Sequence, residues 1–110
     1  ADLLARVDGS GELLGELLTL FGDEARRLMG EVLDAITSGD APRLAQSAHS
    51  LKGSIGNLSG RSAFQSALHL EMLARAGDLP QATRAQQVLE RDIDRLCAAL
   101  AVVQRDLVAG

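Results

Sequence analysis

Leu89-Glu90-Arg91-Asp92-Ile93-Asp94-Arg95-Leu96-Cys97-Ala98-Ala99-Leu100-Ala101-Val102-Val103-Gln104-Arg105-Asp106-Leu107 places apolar side chains at Leu89, Ile93, Leu96, Leu100, Val103 and Leu107. The steps alternate between four and three residues, which is the seam of an α-helix packed at a shallow angle on its neighbours. Three earlier segments repeat the helical period. Leu14, Leu17, Leu18, Phe21, Ala25, Leu28, Val32 and Ile36 share one face of the first. Leu44, Ala48, Leu51, Ile55 and Leu58 share a face of the second, and Ala63, Phe64, Ala67, Leu70 and Ala74 a face of the third. No period-two alternation and no run of β-branched residues suggests a strand.

Turn signals separate the four segments. Asp8-Gly9-Ser10-Gly11 follows a short apolar opening from Asp2 to Val7. In Ser38-Gly39-Asp40-Ala41-Pro42, Gly39 stops one helix, Asp40 caps the next and Pro42 occupies its first turn. Ser59-Gly60 is a third break, and Gly77-Asp78-Leu79-Pro80 repeats the sequence of glycine, cap and proline. Short connections between long amphipathic helices favour antiparallel neighbours. The expected fold is therefore all-α: an up-down antiparallel four-helix bundle, with residues 2–7 forming a short N-terminal capping helix. All 110 residues are expected to form one domain, 1–110.

Composition narrows the class. The chain is 46% hydrophobic and 24% charged, enough apolar material for an ordinary core, and only 2% aromatic, so that core is built from Leu, Ala, Val and Ile. A single cysteine, Cys97, excludes an internal disulfide, and its place beside Leu96 reads as a small, partly buried apolar side chain. The apolar stretch from Leu96 to Val103 is too short to span a bilayer, and no basic-then-apolar leader opens the chain. A cytoplasmic, monomeric domain is expected, and an opening without Met fits a piece cut from a longer protein. The net charge of −4 argues against a nucleic-acid binder. Residues 41–70 contain no acid but carry Arg43, Lys52 and Arg61, a local +3, whereas the remaining residues sum to −7. Such a segment favours an anion or an acidic partner surface.

His49 lies inside that segment. On a wheel of about 100° per residue, the apolar side chains of the second helix fall within roughly 40° of one direction, and His49 points about 140° away from it. Gly53, Gly56 and Gly60 follow at four, seven and eleven residues, on the same stripe of the helix. Each glycine within a helix costs about 1 kcal/mol relative to alanine. A merely solvated face has no reason to accept that cost, whereas clearance beside an imidazole lets another protein approach the backbone. The stripe, with Gly56, Ala45 and Gly60, is the expected partner-docking face. A neutral imidazole keeps a nucleophilic nitrogen lone pair. Phosphoryl transfer asks an acceptor mainly for exposure, in-line access and a nearby positive charge, which Lys52 supplies one turn on. No glycine-rich nucleotide loop and no acidic metal cluster stands near His49, so no ATP site, no cofactor and no resident metal is expected.

The run His49-Ser50-Leu51-Lys52-Gly53-Ser54-Ile55-Gly56-Asn57-Leu58 resembles the phosphoacceptor helix of histidine-containing phosphotransfer (HPt) domains of bacterial phosphorelays. These read His-x-Leu-Lys-Gly-Ser and, a few residues later, Asn-Leu-Gly. The opening Leu3-Leu4-Ala5-Arg6-Val7-Asp8, the stretches Glu12-Leu13-Leu14 and Leu20-Phe21, and Leu70-Glu71 followed by Ala74-Arg75-Ala76-Gly77-Asp78-Leu79 are similar to the family as well. The family's glycine after Asn-Leu is Ser59 here, with Gly60 next, so the helix exit is expected to shift by a residue. The resemblance implies a phosphoryl carrier on a four-helix bundle, working between receiver domains or between a hybrid histidine kinase and its response regulator. In that role His49 is the acceptor, Lys52 stabilises the phosphoryl group, Gly53 clears space beside the ring and Gln46 is a polar neighbour. Any Mg²⁺ belongs to the receiver's aspartate pocket.

Two rival classes fit part of the pattern. A general-base enzyme would need a carboxylate to orient the ring, but the positions one turn from His49 hold Ala45, Gln46, Lys52 and Gly53. A non-catalytic scaffold or dimerisation bundle explains the seam but not the glycines. His69 has Met72 and Leu73 where His49 has Lys52 and Gly53, and is expected to be an ordinary surface residue. A zinc site built from His49, His69 and Cys97 lacks ligand spacing.

Overall fold

The computed structural model describes residues 9–58 and 60–109, and among them it contains four α-helices and no strand. They are α1 (Gly11–Ser38), α2 (Ala41–Gly56), α3 (Arg61–Arg75) and α4 (Leu79–Ala109). The expected capping helix at 2–7 lies outside the described residues.

The boundaries follow from local chemistry. Ser10 accepts a hydrogen bond from the Leu13 amide at 3.2 Å and caps α1. Gly39 closes α1 with φ 71°, and its amide reaches back to the Ala35 and Ile36 carbonyls. Asp40 then caps α2 by accepting from the Arg43 amide at 3.2 Å, with Pro42 in the first turn. Gly77, at φ 74°, repeats the device after α3, and Asp78 accepts from the Gln81 amide at the head of α4. The cap-and-proline signals in the sequence are thus the ones that the chain uses.

Each helix packs on two others: α1 on α2 and α4, and α3 on α2 and α4. The four therefore close into a square around one core. Leu14, Leu44, Leu51, Ile55, Leu70, Leu89 and Val32 are fully buried in it, each contributing about 1.5–3 kcal/mol of transfer free energy. Leu17, placed on the core face from sequence, is 37% exposed. In the α4 seam Leu89 and Ile93 are buried, whereas Leu96, Leu100, Val103 and Leu107 pack against the core only in part.

The helices differ in length. α1 has 28 residues and α4 has 31, against 16 and 15 for α2 and α3. At about 1.5 Å per residue α4 alone is about 46 Å long, which accounts for the 48 Å long axis of the molecule. The short pair ends where Gly60 meets Leu96; beyond it, Gly11 lies against Val108 and Gln104 as α1 and α4 continue together. The α2–α3 pair thus forms a compact shoulder on a longer α1–α4 frame. No helix among the described residues is long and apolar enough to cross a membrane.

Candidate functional site

α2 is anchored by Leu44, Ala48, Leu51 and Ile55, all at 0% exposure. That anchor turns His49 outward, and its side chain is 61% exposed. Lys52 lies on the flank of α2 that faces α3, about 80° from the core direction, and its side chain is only 21% exposed. The reason is a carboxylate. Glu71 of α3 sits beneath both side chains, itself 6% exposed.

Four contacts converge on Glu71. Its Oε2 is 3.2 Å from His49 Nδ1 and accepts from Arg75 Nη2 at 2.7 Å and Arg75 Nε at 3.1 Å. Its Oε1 is 2.9 Å from Lys52 Nζ. Burial alone would push the Glu71 carboxyl upward. The hydrogen bonds from Lys52, Arg75 and His49, with the charge of Lys52, outweigh it and lower the carboxyl from its ordinary 4.5 to about 2. Glu71 is therefore an anion under any physiological condition, and an anion only accepts hydrogen bonds. In a hydrogen bond across this contact His49 Nδ1 is the donor, which leaves the lone pair of a neutral ring on Nε2. With His49 neutral, the cluster of Glu71, Lys52 and Arg75 keeps one net positive charge.

This arrangement corrects one expectation from sequence. The ring-orienting carboxylate, sought one turn either side of His49, comes instead from α3, 22 residues on. Within the chain Glu71 marks the end of the acid-free stretch. It borders the apolar stripe of α3, between Ala67 and Ala74, and has Arg75 at i+4; together these were the signal of a buried, paired carboxylate. The local +3 is also not a bare patch, since Lys52 pairs with Glu71 and Arg43 pairs with Asp34 of α1 at 2.6 Å.

The remaining site residues divide. Gln46 is exposed one turn before His49. Gly53 is exposed, and a Cβ there would meet nothing within 4 Å. Gly56 is also exposed, in ordinary contact with the Phe64 ring at 3.7 Å. Two members of the expected docking face are not on it. Ala45 is 6% exposed, because a position about 100° from the core direction falls on a flank that a neighbouring helix covers. Gly60 is buried: α2 ends at Gly56 and Gly60 is the N-cap of α3, so the stripe cannot be extrapolated to it. A Cβ at Gly60 would lie 2.6 Å from Leu96 Cδ2 and 3.3 Å from Ile55 Cγ2, so this glycine serves packing.

His69 is exposed and lines a groove between α3 and α4 with Ser66 and Arg84, apart from the His49 cluster. Cys97 is half-buried, its thiol pushed up by burial and by the charge of Asp94. Among the described residues no three His, Cys, Asp or Glu side chains gather as a metal site.

No curated protein and no solved structure was found to match the chain. The model of one family, described as the Hpt domain, matches residues 16–99. That span takes in all of α2 and α3 and the whole His49 cluster, and the four-helix architecture agrees with a helical bundle. By this match over most of its length the chain belongs to the Hpt domain family, whose members carry phosphoryl groups on histidine within phosphorelays.

Proposed function

We propose that His49 accepts and donates a phosphoryl group through Nε2. The relay runs between receiver domains, or from a hybrid histidine kinase to a response regulator. The observation that supports this reading is an exposed imidazole whose Nδ1 is held by a buried, ionised carboxylate. In the forward step the Nε2 lone pair attacks the phosphorus of a receiver's aspartyl phosphate. The N–P bond forms, the P–O bond to aspartate breaks, and the aspartate leaves as carboxylate. The ring keeps its Nδ1 proton and becomes a phosphorylated imidazolium, so no base has to remove a proton. Positive charge grows on the ring during this step, and Glu71 stands against Nδ1 to stabilise it. The return step reverses each bond change.

On this reading Glu71 is a positioning residue. Lys52 holds Glu71 ionised and, with Arg75, provides the excess positive charge that a dianionic phosphoryl group requires. Gly53, Gly56 and Gln46 form the approach for the partner, with Gly53 giving clearance beside the ring. The domain is a carrier that uses no ATP site, cofactor or metal of its own, since the Mg²⁺ belongs to the receiver. Connections of two to four residues between helices support an up-down antiparallel bundle, set in the cytoplasm of a bacterial two-component system.

The test is transfer from a phosphorylated receiver domain. The wild-type chain is expected to gain acid-labile, alkali-stable phosphate, and His49→Gln to gain none. Equal labelling of the two proteins would overturn the assignment.

A further inference from the structure

The α1–α4 side of the square lies opposite the α2–α3 seam that holds His49 and Glu71. A groove runs between α1 and α4 on that side, with Met29 and Ile93 in its floor and Leu33 on its lip, 46% exposed. Its two walls carry opposite charge: Arg26 on α1, Glu90 and Asp94 on α4. The Arg26 side chain is 84% exposed, and its one ion pair among the described residues is a 3.7 Å contact with Asp23, itself 72% exposed, which is worth little in water. Gly22 and Gly30 lie in the same α1 wall, and a Cβ at either would meet nothing within 4 Å. The fold therefore has no steric need for these glycines, although each forgoes about 1 kcal/mol of helix stability.

We propose that this groove is the docking surface for a second copy of the same chain. A two-fold axis lying in the interface, parallel to the helices, carries α1 of one copy over α4 of the other. The Arg26 wall of each copy then meets the Glu90 and Asp94 wall of its partner, and the favourable pairing occurs twice. A two-fold axis in the same plane but running across the helices would set α1 on α1, arginine on arginine and acid on acid. The missing side chains at Gly22 and Gly30 let the second backbone come close, and the association covers Met29, Leu33 and Ile93. Both copies keep His49 on their outer faces, so dimer formation and phosphoryl transfer do not compete for surface. The inference departs from the monomer expected from sequence and does not depend on the phosphotransfer reading.

Sedimentation equilibrium of the purified full chain, from about 1 µM to about 1 mM, is the test. A concentration-dependent dimer is expected. Arg26→Glu should weaken it by about tenfold or more, and adding Glu90→Arg and Asp94→Arg to the same chain should restore it. Gly30→Leu should raise the thermal midpoint of the fold while weakening association, two opposite signs that a purely structural glycine would not give. A monomer at every concentration would overturn the proposal and leave the groove to a different partner. A dimer indifferent to Arg26→Glu and Gly30→Leu would also overturn it, by showing that the copies meet elsewhere.

Discussion

Glu71 and His49 stand on different helices, yet Glu71 Oε2 lies 3.2 Å from His49 Nδ1, with the carboxylate 6% exposed and the imidazole 61% exposed. A buried group thus holds one edge of an exposed one. The exposed edge of the ring can face a partner because the other edge is fixed from inside.

The first consequence concerns the tautomer. In the wild type, ¹⁵N NMR of His49 at neutral pH should show the Nδ1–H form in large excess. Glu71→Gln keeps the shape but loses the charge, so both tautomers should become populated. Phosphoryl acceptance should fall by about tenfold to a hundredfold, the size seen when the partner that orients a metal-bound imidazole is removed. Unchanged tautomer populations and an unchanged rate would mean that Glu71 does not position the ring.

Glu71 also makes stability depend on pH. Its carboxyl titrates at about 2 in the folded chain, below the ordinary 4.5. A depressed folded value means that the unfolded chain binds the proton more readily. The contribution is therefore fully present above about pH 4.5 and is lost as the pH falls from there towards 2. Urea midpoints measured across that window should drop more steeply for wild type than for Glu71→Gln. Parallel curves for the two proteins would contradict the pairing.

Gly53 and Gly60 should respond oppositely to the same substitution. Gly53→Ala enters open space and should stabilise the fold by about 1 kcal/mol, while slowing transfer from a receiver by narrowing the approach to His49. Gly60→Ala meets Leu96 and Ile55 and gives up a better N-cap, and should destabilise by about 1–2 kcal/mol. Denaturant unfolding of both variants, with a transfer assay on Gly53→Ala, checks the pair. Equal signs in the unfolding data would show that the two glycines do not differ as described.

Lys52 and Arg75 differ in burial, and their loss should differ accordingly. Lys52→Met leaves a buried Glu71 oxygen without its partner and should cost about 1–3 kcal/mol. The Glu71 carboxyl, followed by ¹³C NMR, should also rise towards the ordinary range. Arg75 is 62% exposed, so Arg75→Gln should cost under about 1 kcal/mol and act chiefly on the yield of phosphorylated protein. A larger stability loss for Arg75→Gln than for Lys52→Met would reverse the ranking.

These contrasts also mark how far the sequence could be read. The four long helices and the turns at Gly39 and Gly77 were legible because Gly39, Asp40, Pro42 and Gly77 act locally, within a few residues of the ends they define. The outward direction of His49 was legible because it depends only on the period of its own helix. Glu71 was hidden because its partnership crosses between helices, and a wheel drawn for α2 carries no information on what α3 presents. Ala45 was misplaced for the same reason: a flank is exposed or covered according to its neighbour. Gly60 was misplaced because the helix stopped before the stripe reached it.

The central claim is that His49 carries the phosphoryl group on Nε2 with Glu71 on the opposite nitrogen. Its most direct test is ³¹P–¹⁵N correlation NMR of the chain after phosphorylation by a receiver domain. The prediction is a single phosphohistidine, at His49, bonded through Nε2, with the Nδ1 proton retained. Phosphorus on Nδ1 of His49, or on His69, would contradict it.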